Sequence, residues 1–229
     1  MNRSRLKLCL VTNLGRQPLQ SYRPLIVKAI QGGVTSVQLR EKTENLSEFH
    51  ELALQVKKIL RPFNVPLIIN DHVHIAKDIG AEGVHIGQSD LSPDEARKIL
   101  GPSTIIGWSV ETLEELEIAN KLECLDYIAA SAVFPSRTKP DCKTIWGIDG
   151  LRKITQLSRY PVMAIGGINL GNIGMIINSG ACGAAVIGAI HNNDPRKSAA
   201  ALIAEIEKAE TNYVQERESL LSCTDRRYS

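Results

Sequence analysis

Short apolar runs alternate along this chain with longer segments in which apolar residues recur every three or four positions. Short continuous apolar runs are typical of parallel strands that are buried on both faces of a sheet. The pattern therefore predicts eight buried strands. They fall near residues 8–12, 34–39, 66–69, 83–86, 104–108, 126–130, 161–165 and 184–187.

The segments between these runs have the spacing of amphipathic helices. Apolar residues form one stripe over residues 46–60 and a shorter stripe over residues 112–121. Ser92-Pro93 and Asp194-Pro195 each have the form of an N-cap followed by a proline in the first helical turn. Three glycines fit helix ends, namely Gly80, Gly101 and Gly180.

Eight strand–helix units in strict alternation favour a closed parallel barrel over an open doubly wound sheet. The alternation never pauses, and no Gly-x-Gly-x-x-Gly motif follows the first predicted strand. The 229 residues are also close to the usual size of such a barrel. The sequence thus predicts an α/β fold, a single-domain (β/α)8 TIM barrel over residues 1–210, followed by a polar C-terminal tail at residues 211–229. Leu202, Ile206, Ala209 and Tyr213 are spaced to extend the last helix, and we expect fraying beyond it.

Composition narrows the possible partners. A net charge of +2 and 4% aromatic residues do not suit a general nucleic-acid surface. Five scattered cysteines, with no Cys-x-x-Cys pair, favour neither a disulfide framework nor a zinc knuckle. No apolar run is long enough for a membrane span. We expect a cytoplasmic protein with small-molecule substrates and no nucleic-acid or membrane partner, and a homo-oligomer stays open.

Polar residues follow several of the predicted strands directly. In a parallel barrel all strand ends meet on one rim, so these residues predict an active site that holds a phosphorylated substrate in a cation-rich, metal-capable pocket. The segments are Gln38-Leu39-Arg40-Glu41-Lys42, Asn70-Asp71, Gln88-Ser89-Asp90, Thr138-Lys139 and Gly166-Gly167.

The second predicted strand ends in three polar side chains that leave it on one side. Gln38, Arg40 and Lys42 alternate with residues that point the other way. Arginine and lysine beside a buried face are suited to hold phosphate oxygens. A solvated strand end is the alternative interpretation.

Two carboxylates close consecutive predicted strands. Neighbouring barrel strands lie about 5 Å apart, so Asp71 and Asp90 are placed to share a divalent ion, and Mg²⁺ fits best because it takes one or two carboxylates and completes its shell with water and phosphate. Helix capping by Asp71 and a turn role for Asp90 are the alternatives. His72, His74 and His85 suggest zinc, but zinc is disfavoured because His72 and His74 would open a helix and diverge to different faces.

Two glycine-containing turns follow the last two predicted strands. Gly166-Gly167 and Gly188 would present backbone N–H groups just ahead of helices, where many barrels bind phosphate. Tight turns with no ligand are the alternative.

Taken together, these motifs resemble the thiamine-phosphate synthase family, with similarity from Leu10-Val11-Thr12 to about Ala209. The matching segments are Gln38-Leu39-Arg40-Glu41-Lys42, Asn70-Asp71, Gly83-Val84-His85-Ile86-Gly87-Gln88-Ser89-Asp90, Gly107-Trp108-Ser109, Val133-Phe134-Pro135-Ser136-Arg137-Thr138-Lys139 and Ala164-Ile165-Gly166-Gly167-Ile168.

The resemblance implies a magnesium-dependent transferase. It would couple 4-amino-2-methyl-5-hydroxymethylpyrimidine diphosphate with thiazole ethyl phosphate, giving thiamine monophosphate and pyrophosphate. By this resemblance the diphosphate would be held by Arg40, Lys42, Asn70 and Lys139, and Mg²⁺ by Asp71 and Asp90. The pyrimidine and leaving-group region would be bound by Gln38 and Ser109. The thiazole would be lined by Ser136 and Thr138, and its phosphate would be bound by the backbone at Gly167, Ile187 and Gly188. Of these, Arg40, Lys42, Ser109 and Lys139 are expected to be catalytic.

The chain departs from the commonest family pattern at Ser131-Ala132, at Glu111, which would repel a diphosphate if it faced the pocket, and at Gly188, where serine is frequent. One alternative is a sister thiazole tautomerase, which the sequence disfavours because such relatives carry a histidine at the position of Ala132 and lose the paired acids. The other is a non-catalytic thiazole- or thiamine-phosphate-binding barrel, which would not need both aspartates and the cations.

Overall fold

The computed structural model describes residues 3–15, 17–41, 45–136 and 142–225 of the chain. Its strands are β1 (Leu8–Val11), β2 (Ser36–Leu39), β3 (Leu67–Asn70), β4 (Gly83–Ile86), β5 (Ile105–Val110), β6 (Tyr127–Ser131), β7 (Val162–Ile165) and β8 (Gly183–Val186). They pair in parallel in chain order, and β8 closes the barrel against β1. The predicted barrel is confirmed, and every strand lies within two residues of its predicted bounds.

A helix follows each strand, as predicted. The helices are α1 (Leu19–Gln31), α2 (Leu46–Leu60), α3 (Val73–Asp78), α4 (Pro93–Leu100), α5 (Leu113–Lys121), α6 (Gly147–Leu157), α7 (Ile173–Asn178) and α8 (Pro195–Asp225). Two 3₁₀ turns precede β1 and follow α2, at Arg3–Leu6 and Arg61–Phe63. Across the described ranges, we find no helix with the length and apolar character needed to cross a membrane.

Local sequence signals fix where several helices begin and end. The Ser92 side chain caps α4 by accepting the backbone N–H of Glu95, whose carboxylate reaches back to the Ser92 N–H in a capping box. Gly101 then ends α4 with φ of 80°, a conformation that glycine adopts without a steric penalty. Asn45 caps α2 through the N–H groups of Ser47 and Glu48.

The apolar residues form two layers. The larger layer lies between the strands and the surrounding helices, and the smaller layer fills the inside of the barrel. The inner layer consists of Leu6, Cys9, Val11, Ile68, Ile105, Tyr127, Met163 and Ala185. Because these side chains close the lower part of the barrel, the inward-facing residues at the strand ends are left to form a site at the upper rim.

The final helix is continuous across the predicted boundary between barrel and tail. Leu202, Ile206 and Ala209 of α8 are buried in the core, and Lys7 Nζ lies 2.7 Å from a carboxylate oxygen of Glu210. The first half of α8 is therefore part of the outer helical layer, and the helix continues from there to Asp225.

Candidate active site

Two adjoining cavities open at the carboxyl ends of the strands. The first, about 430 Å³, is lined mainly by polar and charged side chains, and we call it the polar cavity. The second, about 420 Å³, is bordered by the loops that follow β7 and β8, and we call it the glycine cavity. Arg40, Ser131 and Ile165 line both. The arrangement can therefore hold two small molecules side by side, with Arg40 between them.

Asp71 and Asp90 meet side chain to side chain in the wall of the polar cavity. Asp71 follows β3 directly and has φ of 63°, in the left-handed region that residues other than glycine rarely adopt. Its backbone N–H donates to the carbonyl of His85 at 2.9 Å. Asp90 is fixed by its Oδ2, which accepts the N–H of Gly87 at 2.7 Å. The strained backbone thus turns the first carboxylate toward the second.

The environment of Asp71 raises the pKa of its carboxyl group from the ordinary 3.8 to about 7. Although the residue is exposed to the cavity, partial loss of water around the carboxyl group is the largest cause, and the hydrogen bond and charge of Asp90 follow. Arg40 and Asn70 act in the opposite direction. The Asp71 carboxyl group beside Asp90 therefore favours its protonated form, and a divalent cation is suited to replace that proton.

The backbone at the end of β2 is held by an anchor outside the cavity. The Thr12 hydroxyl accepts the N–H of Arg40 at 3.0 Å and donates to the Glu41 carboxylate at 2.7 Å. Glu41 also accepts the N–H groups of Leu14 and Gly15. The predicted alternation holds for Gln38 and Arg40, which line the polar cavity, whereas Glu41 binds the loop after β1. The third predicted residue, Lys42, lies outside the described residues.

A buried hydrogen-bond chain forms the floor of the polar cavity. The Tyr127 hydroxyl lies 3.0 Å from Nδ1 of His85, and Nε2 of His85 lies 2.9 Å from the Ser109 hydroxyl. Burial raises the pKa of Tyr127 well above its usual value, so the phenol stays neutral. The chain holds Ser109 in one orientation. The sequence indicated Ser109 only through the family resemblance, and it considered His85 only as a zinc ligand.

A second group of charged residues lines the polar cavity. Glu111, which the sequence marked as unfavourable for a diphosphate if it faced the pocket, does line it, and Lys143 was not predicted there. Glu111 is buried, and its Oε2 accepts the backbone N–H of Lys143 at 3.2 Å. The Lys143 ammonium lies 2.8 Å from Glu115, whose hydrogen bond and charge raise the pKa of the lysine. Lys143 belongs to the segment between β6 and α6, and nothing in its local sequence signals that it reaches this cavity.

Glycines are required at the bend after β7. Gly166 and Gly167 have φ of 101° and 63°. A Cβ atom would lie 2.5 Å from the Ala132 Cβ at the first position and 2.6 Å from the Phe134 Cβ at the second. Within the described parts of the chain, the N–H groups of both glycines meet no acceptor. Unpaired backbone donors at a cavity wall are suited to bind an anion.

Gly188 also lines the glycine cavity. Its N–H and that of Ala189 also meet no acceptor among the described residues. A Cβ atom at Gly188 would have nothing within 4 Å, and its φ is outside the left-handed region. The wall is therefore open at this point, and a larger residue fits.

The structure brings together most of the site residues that the sequence indicated. Those at the polar cavity are Gln38, Arg40, Asn70, Asp71, Asp90 and Ser109. Those at the glycine cavity are Arg40, Ser136, Gly167, Ile187 and Gly188. Lys42, Thr138 and Lys139 lie outside the described residues. The positions are thus known for the first two sets, whereas the ligand of each residue stays a prediction.

The histidines do not form a zinc site in the described ranges, where no group of three or more His, Cys, Asp or Glu side chains converges. His72 is the N-cap residue of α3 and packs edge-on against Phe49, whereas His85 lies in the cavity floor. Asp71 does not cap α3, because the N-cap residue of this helix is His72. The alternative for Asp90 holds in part, since its carboxylate also closes the turn after β4.

Comparisons with known proteins identify the family of this chain. Residues 8–190 match the model of the thiamine monophosphate synthase family. A thiamine-phosphate synthase of Chlamydia caviae is 42% identical over 186 residues, covering 81% of this chain and 87% of the relative. One from Caldanaerobacter subterraneus is 46% identical, covering 79% and 84%. The solved structure of a thiamine phosphate pyrophosphorylase from Pyrococcus furiosus superposes with a TM-score of 0.81 at 33% identity, covering 91% of this chain and 98% of that one. The chain belongs to the thiamine monophosphate synthase family.

Proposed function

We propose that this protein is a magnesium-dependent thiamine-phosphate synthase. It joins 4-amino-2-methyl-5-hydroxymethylpyrimidine diphosphate to thiazole ethyl phosphate and releases pyrophosphate. The observation that carries the proposal is the pair of adjoining cavities that share Arg40, one with paired carboxylates and cations and one with unpaired backbone donors. The first suits a diphosphate with its metal, and the second suits a monophosphate.

The donor set at Asp71 and Asp90 fits Mg²⁺. Burial and the neighbouring Asp90 disfavour the charged form of Asp71, and a hard cation that replaces its proton offsets that cost. When bound there, Mg²⁺ would neutralise the diphosphate and stabilise the pyrophosphate that leaves. Water and diphosphate oxygens would supply the remaining ligands, so no other protein carboxylate is needed.

The reaction asks the protein mainly to position two substrates and to meet developing negative charge. The bond between the pyrimidine methylene carbon and the diphosphate oxygen breaks, and its electron pair leaves with pyrophosphate. Arg40 is placed to stabilise that charge from the boundary between the cavities, and Asn70 and Ser109 offer further donors beside it. Fixed donors of this kind need no reorganisation as charge develops.

The thiazole nitrogen then attacks the methylene carbon with its own lone pair. Because that nitrogen carries no proton, the step requires no general base. The unpaired N–H groups of Gly167 and Gly188 hold the thiazole phosphate at the far end of the glycine cavity. This anchor directs the ring toward Arg40 and the polar cavity, and proximity supplies much of the rate.

The test is product formation by the purified protein with both substrates, with and without magnesium. We expect thiamine monophosphate and pyrophosphate in equal amounts only when the divalent ion is present. Asp90→Asn should lower kcat by about 100-fold with little loss of thermal stability. Asp149→Asn is the matched control, because Asp149 is a fully exposed carboxylate on α6.

Two results would contradict the proposal. The first is absence of product with magnesium present, and the second is wild-type turnover in Asp90→Asn, which would remove the metal role alone. A cytoplasmic location and a homo-oligomeric state stay predictions from the sequence, to be checked by fractionation and by light scattering.

A further inference from the structure

Tyr22 and His191 connect the first and last loops of the barrel rim. Tyr22 is a buried residue of α1, and its hydroxyl hydrogen bonds to Nε2 of His191 in the segment between β8 and α8. The two rings lie 5.2 Å apart between centroids. The same hydroxyl accepts the backbone N–H of Asn13 at 3.2 Å, just after β1. One phenol therefore ties both loops at the seam where β8 meets β1.

The other nitrogen of His191 fixes the backbone of the glycine cavity. Nδ1 lies 2.8 Å from the carbonyl oxygen of Ile187, which accepts only, so Nδ1 carries the proton. In the neutral ring Nε2 then accepts from Tyr22, whose pKa burial raises so that the phenol keeps its proton. Each donor in this hydrogen-bond chain, which runs from the Asn13 N–H through Tyr22 and His191 to the Ile187 carbonyl, thus has an acceptor.

The Ile187 carbonyl is the point where this chain acts on the site. In a planar trans peptide the carbonyl of Ile187 and the N–H of Gly188 point in opposite directions. The carbonyl faces residues 190 and 191, whose N–H groups also approach it at 3.3 and 3.4 Å. The N–H of Gly188 consequently faces away from them, and it meets no acceptor in the described ranges.

We propose that Tyr22 and His191 are positioning residues that hold the Ile187–Gly188 peptide so that its N–H binds the phosphate of the thiazole substrate. The inference rests on the proposed function, in which that phosphate occupies the glycine cavity. As far as the structure describes the two cavity linings, they include neither side chain, so both act through the backbone. Loss of a hydrogen bond between Tyr22, His191 and Ile187 should therefore change the affinity for the thiazole phosphate. The affinity for the pyrimidine diphosphate, which binds in the other cavity, should stay the same.

The experiment compares Tyr22→Phe, His191→Ala and His191→Asn with the wild-type protein. Tyr22→Phe keeps the buried ring and removes only the hydroxyl, and because Asn13 is an exposed residue, its N–H can bond to water instead. His191→Asn keeps a donor near the Nδ1 position, whereas His191→Ala keeps none. Tyr160→Phe is the matched control, since it removes a hydroxyl that donates to the Leu122 carbonyl, outside both cavity linings.

The readouts are the Kd of thiazole ethyl phosphate by calorimetry, the KM of each substrate, and Tm. We expect Tyr22→Phe and His191→Ala to raise the Kd and KM for the thiazole phosphate by roughly 3–10-fold. The KM for the pyrimidine diphosphate should not change. His191→Asn should recover part of the affinity for the thiazole phosphate. The double variant Tyr22→Phe/His191→Ala should have the same Kd as His191→Ala alone, because the two residues act in one hydrogen-bond chain.

Equal effects on the KM of both substrates would overturn the proposal, and so would an unchanged Kd in Tyr22→Phe or a similar loss in Tyr160→Phe. The calorimetric titration needs no turnover, so it tests the positioning role independently of the synthase function. A protein that binds thiazole phosphate but forms no product contradicts the synthase function alone. Equal affinities of wild type and Tyr22→Phe contradict the positioning role alone.

Discussion

Asp71 and Asp90 hydrogen bond to each other through their side chains, although they follow different strands and lie 19 positions apart in the chain. The contact depends on the left-handed backbone of Asp71 and on the N–H of Gly87, which holds Asp90. The Gly87 contact closes the turn after β4, whereas the left-handed backbone of Asp71 costs energy that must be offset elsewhere. A strained residue that brings two acids together is typical of a site whose stabilising partner is a bound cation.

Replacement of Asp71 by asparagine should stabilise the metal-free protein at alkaline pH. The folded-state pKa of about 7 exceeds the ordinary 3.8, so metal-free wild type loses stability as the pH rises between these values. Above pH 7 that loss is complete, and Asp71→Asn removes it. Because the carboxyl group is exposed to solvent, we expect a Tm gain of only about 1–2 °C at pH 8, vanishing near pH 4.

Thermal scans across pH, with and without millimolar magnesium, check this prediction. Magnesium should raise the Tm of wild type and leave that of Asp71→Asn unchanged, since ligand binding to the folded state stabilises it. Asp149→Asn, at an exposed position, should behave as wild type. A variant less stable than wild type at pH 8, or one that magnesium stabilises equally, would contradict the role of Asp71.

The fold and the carboxylate pair were predictable from the sequence because each depends on local order. Strict alternation of apolar runs and helical stripes determines the barrel, and residues at strand ends must then meet at one rim. Asp71, Asp90 and Arg40 could be placed on this basis without any knowledge of side-chain contacts. The helix signals at Ser92 and Gly101 were equally local.

The floor of the polar cavity could not be predicted in this way, because it depends on register between strands. His85 pairs with Gly107 across β4 and β5, and Gly107 pairs with Tyr127 across β5 and β6. The three residues thus lie side by side, and the ring of Tyr127 passes over the glycine to reach His85. One-residue shifts in strand bounds would remove this relation. Lys143 was missed for a different reason, since a loop returns it to the cavity from a distance.

Gly107 should therefore not tolerate even a methyl group. A Cβ atom at this position would overlap the Cζ and Cε1 atoms and the hydroxyl of Tyr127, which is fully enclosed. We expect Gly107→Ala to lower the free energy of unfolding by about 3 kcal/mol or more. Gly188→Ala, with nothing near its new atom, should change it by less than about 0.5 kcal/mol. Urea unfolding of both variants measures the difference, and equal midpoints would contradict the packing argument.

A serine at position 188 should improve affinity for the thiazole phosphate. The space around a Cβ atom there is open, and the position borders the glycine cavity beside unpaired backbone donors. An added hydroxyl that reaches the phosphate should lower the KM for thiazole ethyl phosphate by about 2–5-fold, while the KM for the pyrimidine diphosphate stays the same. Steady-state kinetics with each substrate varied in turn checks this.

Gly188→Ala is the control for that experiment, because it adds the same carbon without the oxygen. Its KM values should match those of the wild type. If the alanine variant improves phosphate affinity as much as the serine variant, the effect comes from reduced backbone freedom and the hydroxyl contributes nothing. If neither variant changes the KM, the phosphate does not lie beside Gly188.

Lys143 should contribute to the binding of the pyrimidine diphosphate without contributing to stability. Its ammonium lines the polar cavity but is largely exposed and pairs with Glu115, a type of contact that adds little to folding. Lys143→Gln should raise the KM for the diphosphate by roughly 3–10-fold, and the difference from wild type should shrink at high ionic strength, since salt screens exposed charges. Lys153→Gln on α6 removes an exposed lysine outside both cavity linings and should leave the KM unchanged. Equal KM values for the two glutamine variants would show that Lys143 serves only Glu115, and the cation that meets the diphosphate would then have to come from elsewhere on the rim.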